Sequence, residues 1–197
     1  MRSSSKWKTA GLHHLTDEMA RSLPSEIGFD WPTDEIWRIV SEQVVMVLPY
    51  RDFRGVEHWG QLVVHREIAD PVRSVFEMLF AHGFPIGSMA PVAAFGWSDD
   101  RSMAANNCVG FHFRQKTGKG ELSWHAYGRA IDINPLQNPY VRGEVVLPRG
   151  GDFDPSQPGT CSSDSLPVRL FKAQGFMWGG EWTSLRDYMH FELPFPP

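Results

Sequence analysis

Two histidines of this sequence lie close along the chain to carboxylates. In the segment SWHAYGRAID, which begins at Ser123, the His125 imidazole precedes the Asp132 carboxylate by seven residues. Nearer the C-terminus, Asp187 precedes His190 by three residues. Two imidazoles and one carboxylate are typical protein ligands of catalytic zinc, which keeps its remaining coordination position for water. The residue types therefore favour a zinc site formed by His125, Asp132 and His190, with Asp187 as a candidate general base.

The surroundings of Asp132 support a metal site and also leave an alternative open. Asp132 stands in an apolar run that predicts a buried strand, and Gly128 permits a tight turn before it. A buried carboxylate needs a partner, and a metal ion is a strong one. In the alternative, Asp132 and Asp187 are neutralised by ion pairs with Arg129 and Arg186.

The remaining histidines and both cysteines are assigned no part in this site. The chain has eight histidines, and His82, for example, is predicted in the last turn of a helix, where a cation is favourable. Cys108 and Cys161 lack the paired spacing of a cysteine zinc site. They are predicted to be either two buried thiols or one disulfide.

The elements that must position these residues are predicted from periodicity and from capping residues. One helix begins near Thr33, and a second runs from Pro71 to about His82, with Asp70 as its cap and Gly83 at its end. The predicted strands cover residues 44–48, 61–65, 85–92, 176–178 and 190–193, and a third helix covers residues 167–175.

Three stretches are predicted to be irregular, namely residues 50–59, 96–121 and 142–163. The last is rich in Gly and Pro and is long enough to be a functional loop. Helices and short strands mix without the alternating order of parallel sheets, so the predicted class is α+β, with a small antiparallel sheet and flanking helices. Residues 1–30 are predicted to be an arm, and residues 31–197 a single domain.

The composition argues against several classes of protein. The net charge of −4 and the pI near 6.0 give the chain no general attraction to nucleic acid. No apolar run reaches the length of about 18 residues that a membrane span requires. The N-terminus lacks the apolar segment of a secretory signal peptide. We therefore expect a protein that neither binds nucleic acid nor spans a membrane. We also expect a monomer.

Several segments together resemble a known family of zinc peptidases. The pattern SxHxxGxAxD followed by DxxH is similar to that of the VanY-like D-Ala-D-Ala carboxypeptidases and of the L-alanyl-D-glutamate endopeptidases of phage lysins. These peptidases share a zinc-binding core with Hedgehog, so the resemblance implies a Hedgehog-like core. It extends over residues 44–193 and includes GQLVVH at 60–65, DDRSM at 99–103, HAYGRAIDINP at 125–135 and WGGEW at 178–182.

The resemblance also implies roles for particular residues. His125, Asp132 and His190 would bind one zinc ion. Asp187 would be the general base, and Arg101 would steady the substrate carbonyl or its developing oxyanion. A further set of residues could bind the substrate, but the serine among them could instead cap a turn, and the aromatic residues could instead pack in the core. These candidate substrate-binding residues are Ser123, Trp124, Tyr127 and Trp182.

The function that the resemblance implies is hydrolysis of peptide bonds in peptidoglycan stem peptides. Carboxypeptidases of the family commonly carry Glu where this chain has Asp187, which favours an L-alanyl-D-glutamate endopeptidase. The alternatives are a D-alanyl-D-alanine carboxypeptidase, a zinc hydrolase of another amide such as a free dipeptide, and a catalytically silent binding module. Peptidoglycan or a muropeptide is the expected partner, which places the action on the cell wall. Secretion with later trimming, or release at lysis as for an endolysin, would deliver the protein there.

Overall fold

A three-stranded antiparallel sheet organises the first part of the fold. The computed structural model describes residues 13–14, 33–116 and 121–195, so the predicted arm of residues 1–30 lies outside the described residues except for one two-residue strand. The sheet consists, in this order, of β1 (His13–His14), β2 (Gln43–Arg51) and β3 (Glu57–His65).

The β2–β3 hairpin is longer than the sequence predicts. Both predicted strands are confirmed, but the pairing continues outward to Arg51 and Glu57, so the predicted turn over residues 50–59 is too wide at both ends. The Asp52 carboxylate explains the compact turn, because it accepts hydrogen bonds from two backbone N–H groups of the turn, each at 2.9 Å.

The alternation of side chains along β2 contributes to two hydrophobic cores. Val45 packs with α1 (Thr33–Ser41), whereas Met46 and Leu48 belong to the core that includes α2 (Ala69–Ala81). Successive strand residues point to opposite faces, so both helices can cover the same strand pair. The buried stripe of the second helix matches the predicted one and consists of Val72, Val75, Phe76 and Leu79.

The α2 helix begins earlier than predicted, and Asp70 is not its cap. Asp70 lies within the first turn, while a 3₁₀ turn at Arg66–Ile68 leads directly into the helix. That turn is capped by His65, whose Nδ1 accepts a hydrogen bond from the backbone N–H of Glu67 at 3.2 Å. Histidine is not a usual capping residue, which is why the sequence pattern pointed to Asp70.

The stretch before the candidate site is more ordered than predicted. The predicted strand over residues 85–92 is largely wrong, because only β4 (Ser88–Met89) forms there, in parallel with β5 (Asn107–Cys108). The short helix α3 (Asp99–Ala104) lies between them, and the Ser98 hydroxyl caps it. A helix this short shows no periodic apolar pattern, so the sequence predicted an irregular segment.

A second three-stranded sheet carries the candidate site. It consists, in this order, of β6 (Ala130–Asp132), β11 (His190–Glu192) and β9 (Met177–Trp178). The central strand β11 is antiparallel to both neighbours. It is backed by the helix α4 (Leu166–Ala173), whose Phe171 stacks on Phe191 with ring centroids 4.4 Å apart. The predicted third helix and the two predicted C-terminal strands are thereby confirmed.

The predicted loop over residues 142–163 contains a hairpin. The strand β7 (Tyr140–Arg142) pairs with β8 (Val145–Leu147) on one side. On its other side it pairs with β10 (Arg186–Asp187), so the hairpin borders the segment that carries Asp187.

Two buried asparagines anchor the far end of this loop. The Asn138 side chain donates to the Gly159 carbonyl at 2.9 Å and accepts from the Cys161 N–H. The Asn134 side chain donates to the same carbonyl of Gly159 at 3.0 Å. Cys161 and Cys108 are both buried free thiols, as one of the two alternatives predicted, and burial raises the pKa of Cys108 to about 12.

The mixture of helices with small, mainly antiparallel sheets confirms the α+β class. Among the described residues, none of the helices has the length and apolar character needed to cross a bilayer.

Candidate metal centre

The three predicted metal ligands come together because of two local structures. The register of β6 and β11 places Asp132 directly opposite His190. His125 approaches from a 3₁₀ turn at Trp124–Tyr127, whose first N–H groups are capped by the Ser123 hydroxyl. All three candidate ligands are buried, with at most 6% of each residue exposed.

Gly128 is required at the end of the turn that carries His125. Its φ of +65° lies in the left-handed region, and a Cβ there would overlap the Gln43 side chain. The close approach lets the Gly128 carbonyl accept a hydrogen bond from the His65 N–H at 2.9 Å. The predicted tight turn is confirmed, and this bond fixes the turn against the end of β3.

The ligand atoms of the three residues converge on one point. His125 Nε2 lies 3.1 Å from His190 Nδ1, and each of these nitrogens lies 3.1 Å from an oxygen of Asp132. The three ligand atoms all lie within 4.8 Å of one another. The structure therefore assembles a site of two nitrogens and a carboxylate that could hold a metal ion.

The outer nitrogens of both imidazoles face hydrogen-bond acceptors. His125 Nδ1 lies 2.6 Å from the Gly110 carbonyl, and His190 Nε2 lies 2.9 Å from the Glu192 carboxylate. Acceptors require protons on these outer nitrogens, so the inner nitrogens of the neutral rings carry lone pairs. Two lone pairs and a carboxylate directed at one point need a positive charge between them. The donor set thus fits zinc, which takes nitrogen and oxygen ligands.

The electrostatics of the site reflect this need for positive charge. Burial alone would raise the pKa of Asp132, but the imidazoles of His125 and His190 outweigh it and hold that pKa below its usual range. Burial likewise opposes a charge on His190, yet its hydrogen bonds to Asp132 and Glu192 raise its pKa to about 10. The interior position therefore attracts either a proton or a metal ion.

Asp187 lies beside the three candidate ligands. It is half-buried on β10. Gly179 packs against both Asp187 and His190. A Cβ at this glycine would lie 2.6 Å from the Asp187 carbonyl oxygen and 3.3 Å from the His190 Cβ. Burial raises the pKa of Asp187 to about 7, with the charge of Asp132 adding to the effect and that of His190 opposing it. Its Oδ1 has no hydrogen-bond partner among the described residues. A carboxylate with a buried, unpartnered oxygen is a functional candidate.

A second arginine near the site was missed by the sequence analysis. The guanidinium of Arg114 pairs with Asp99 at 3.2 Å. Its positive charge partly opposes the rise that burial causes in the pKa of Asp187. The predicted Arg101 is exposed on α3, and its guanidinium donates to the Gly96 carbonyl of the neighbouring segment. The sequence gives little indication of a role for Arg114, because this residue belongs to none of the recognised motifs. In the structure its segment pairs with the residues that lead to His125.

The Arg114–Asp99 pair is connected to the ligands through His112. Asp99 lies 3.4 Å from His112 Nδ1, and the His112 backbone N–H donates to the His125 carbonyl at 2.9 Å. The polar cluster of Asp99, His112 and Arg114 therefore adjoins the turn that carries His125.

The four predicted substrate-binding residues have different surroundings. The Trp182 ring lies against His190, with centroids 5.3 Å apart, so it borders the candidate site. Ser123 is buried and caps the His125 turn, which is the alternative that local structure offered. Trp124 and Tyr127 pack against each other, and both contact Phe195 near the C-terminus.

The part of the chain that carries the site matches known peptidases. Residues 117–193 match the sequence profile of a family described as D-alanyl-D-alanine carboxypeptidase. A segment of 76 residues is 38% identical to the peptidoglycan L-alanyl-D-glutamate endopeptidase CwlK of Bacillus subtilis (strain 168), covering 38% of this chain and 41% of that relative. The chain thus spans less than half the length of this curated relative. No solved structure matches the chain.

These comparisons agree with the resemblance found in the motifs. The matched segment contains His125, Asp132, Asp187 and His190. The site-bearing part of the chain, residues 117–193, is thus similar in sequence to a family described as D-alanyl-D-alanine carboxypeptidase, and a segment of 76 residues is similar to an L-alanyl-D-glutamate endopeptidase.

The first prediction is that the purified protein holds about one zinc ion per chain. His125→Ala should lose tight zinc binding, because it removes one of two nitrogens that converge with Asp132. His82→Ala is the matched control, since this exposed histidine lies on α2 and its ring contacts the Met78 carbonyl of the same helix. Zinc content is measured by elemental analysis after dialysis, and full occupancy in His125→Ala would show that the ligand assignment is wrong.

Proposed function

We propose that this chain is a monomeric zinc-dependent peptidase with a Hedgehog-like core, which hydrolyses peptidoglycan stem peptides outside the cytoplasm. The observation that carries the proposal is the convergence of His125, Asp132 and His190 next to the unpartnered carboxylate oxygen of Asp187. The matched relative is named for cleavage of peptidoglycan, which supports the same class of substrate. A silent binding module would have no need of an Asp187 whose Oδ1 is buried and unpartnered.

The proposed metal ligands are His125 Nε2, His190 Nδ1 and the Asp132 carboxylate. Zinc in a site of three protein ligands supplies Lewis acidity, which polarises a carbonyl and makes water a nucleophile near neutral pH. The surrounding burial keeps bulk water away and so strengthens each electrostatic interaction within the site.

Asp187 is the proposed general base. Its free Oδ1 can accept a proton from the attacking water and then return it to the leaving amine. A base is most effective when its pKa lies near the working pH, and burial raises the pKa of Asp187 to about 7. Hydrogen bonding to a partner inside the protein would oppose this role, and the described residues provide none to Oδ1.

Arg114 and Arg101 are the two candidates for stabilising the oxyanion that develops on the substrate carbonyl. Arg114 is favoured because Asp99 holds its guanidinium in place, and because His112 connects this pair to the turn that carries His125. Arg101 matches the family motif in sequence, but its recorded contacts are with Gly96 and Ser98.

We propose that the bond cleaved is internal, between L-Ala and D-Glu. The Asp at position 187 matches the endopeptidase branch of the resemblance. An internal cut also needs room for the chain on both sides of the cleaved bond, and a cavity of about 490 Å³ is lined by Arg186 and Tyr188, the two neighbours of Asp187 in sequence. This cavity is lined by residues of the anchored loop and of the last strands, among them Phe153, Ser162, Trp178, Arg186 and Tyr188.

A second candidate function is release of the terminal D-Ala. The description of the matched family favours it. A carboxypeptidase needs a cation for the free carboxylate of its substrate. Arg186, which is exposed at the cavity and donates to the Gly180 carbonyl, is a candidate for that cation.

The second prediction separates the base from the ligands. Asp187→Ala should bind zinc normally and keep its melting temperature, because the three ligand atoms do not include it. Its turnover of muropeptides should fall by about 10²-fold or more, the usual scale for loss of a general base. Asp100→Ala, an exposed aspartate on α3, is the control. Near-normal turnover by zinc-loaded Asp187→Ala would exclude the role.

The third prediction compares the two arginines. Arg114→Ala should lower kcat/KM by about 10²-fold or more while zinc binding persists, since loss of one oxyanion donor costs this much. Arg101→Ala should change kcat/KM by less than about threefold, the range typical of an exposed residue outside the site. If Arg101→Ala is the damaging substitution and Arg114→Ala is mild, the roles are reversed.

The fourth prediction concerns the bond. Digestion of intact muropeptides, followed by mass spectrometry, should yield fragments cut between L-Ala and D-Glu, with release of single D-Ala slower. Zinc-loaded wild-type protein and Asp187→Ala are compared at equal concentration. Single D-Ala as the sole product would establish the carboxypeptidase alternative instead.

A further inference from the structure

Glu192 contacts a candidate metal ligand from the side opposite the metal position. Its carboxylate Oε2 lies 2.9 Å from His190 Nε2, while His190 Nδ1 faces His125 and Asp132. The two ring nitrogens lie on different edges of the imidazole. Glu192 therefore does not belong to the group of atoms that converge on the metal position.

The strand itself builds this contact. Residues two apart on a strand project to the same face, so β11 presents Glu192 beside His190 while Phe191 enters the core. Glu192 is held at the centre of its sheet, opposite Ala130 on one neighbour and Met177 on the other. Its side chain is only 13% exposed. The contact is thus fixed by the register of the sheet.

The Glu192 carboxylate has no competing partner in the described part of the chain. Its recorded polar contact is with His190 alone, whereas the exposed Glu181 pairs with Lys172 at 2.7 Å. A half-buried carboxylate that contacts a single imidazole fixes the orientation and the tautomer of that ring. It requires a proton on Nε2 and leaves Nδ1 as the basic nitrogen.

We propose that Glu192 is a positioning residue of the metal centre, which holds His190 in the tautomer and orientation whose Nδ1 binds the metal. The inference rests on the zinc site of the proposed function. The Gly110 carbonyl makes the equivalent contact to His125 Nδ1 at 2.6 Å. Both imidazoles are thus oriented from outside, one by a neutral carbonyl and the other by a carboxylate. The carboxylate also increases the basicity of its ring, which strengthens the bond to a metal.

The fifth prediction measures this effect by zinc affinity rather than activity. Competition with a chromophoric chelator should show zinc bound about 10- to 100-fold more weakly by Glu192→Ala than by the wild type, the range for loss of such a contact. Glu192→Gln should recover at least part of this loss, because the amide oxygen can still accept the Nε2 proton. Glu181→Ala is the control and should match the wild type within about twofold, as expected of an exposed ion pair.

A second measurement needs no substitution and covers the case in which a variant fails to fold. Long-range ¹H–¹⁵N spectra of zinc-loaded wild-type protein should show the His190 proton on Nε2 and the metal on Nδ1. Zinc on Nε2, or equal affinity in wild type and Glu192→Ala, would overturn the inference while leaving the metal site intact. Equal weakness of Glu192→Gln and Glu192→Ala would also overturn it. A wild-type chain that binds no zinc would instead overturn the proposed metal site, and this inference with it.

Discussion

The register between β6 and β11 is the constraint on which the candidate site depends. Side chains alternate along a strand, so a slip of one residue would turn either Asp132 or His190 away from the other. The register is held by the burial of Ile131 and Phe191, which lie opposite each other and enter the core. The hydrophobic pattern that stabilises the sheet therefore also sets the positions of the ligand atoms.

The site concentrates negative charge in a region with little water. Asp99, Asp132 and Asp187 act on one another electrostatically, and each opposes ionisation of its neighbour. Burying like charges together is unfavourable unless cations accompany them. Arg114 and the imidazoles supply part of that charge, and a divalent cation among the three candidate ligands would supply the rest. The same arrangement explains why Asp187 is less acidic than Asp132, which contacts both imidazoles directly.

The sequence predicted the parts of this site that depend on residue type and short spacing. His125, Asp132 and His190 were predicted because imidazoles and carboxylates in such motifs are distinctive, and the turn at Gly128 followed from its freedom to adopt a positive φ. Arg114 was missed, since its place in a cluster with Asp99 and His112 arises from the packing of segments that carry no common motif.

Errors in the elements have a similar origin. The predicted cap of α2 was wrong because a 3₁₀ turn, itself capped by His65, leads directly into the helix. The predicted strand over residues 85–92 was largely wrong because a parallel pair of two residues leaves no periodic signal. Long amphipathic elements such as α2 were predicted well, because their stripe of buried residues is visible in the sequence. Which nitrogen of His190 faces inward could not be predicted, because it depends on a contact seen only in three dimensions.

The hydrogen bonds of Asn138 fix the base of the loop independently of its tip. The asparagine joins the segment after Asp132 to Gly159 and Cys161. At the tip, the β7–β8 hairpin exposes Val145 and turns at Gly143 without close neighbours. The hairpin tip can therefore be lengthened, shortened or resurfaced while His125, Asp132 and His190 keep their positions.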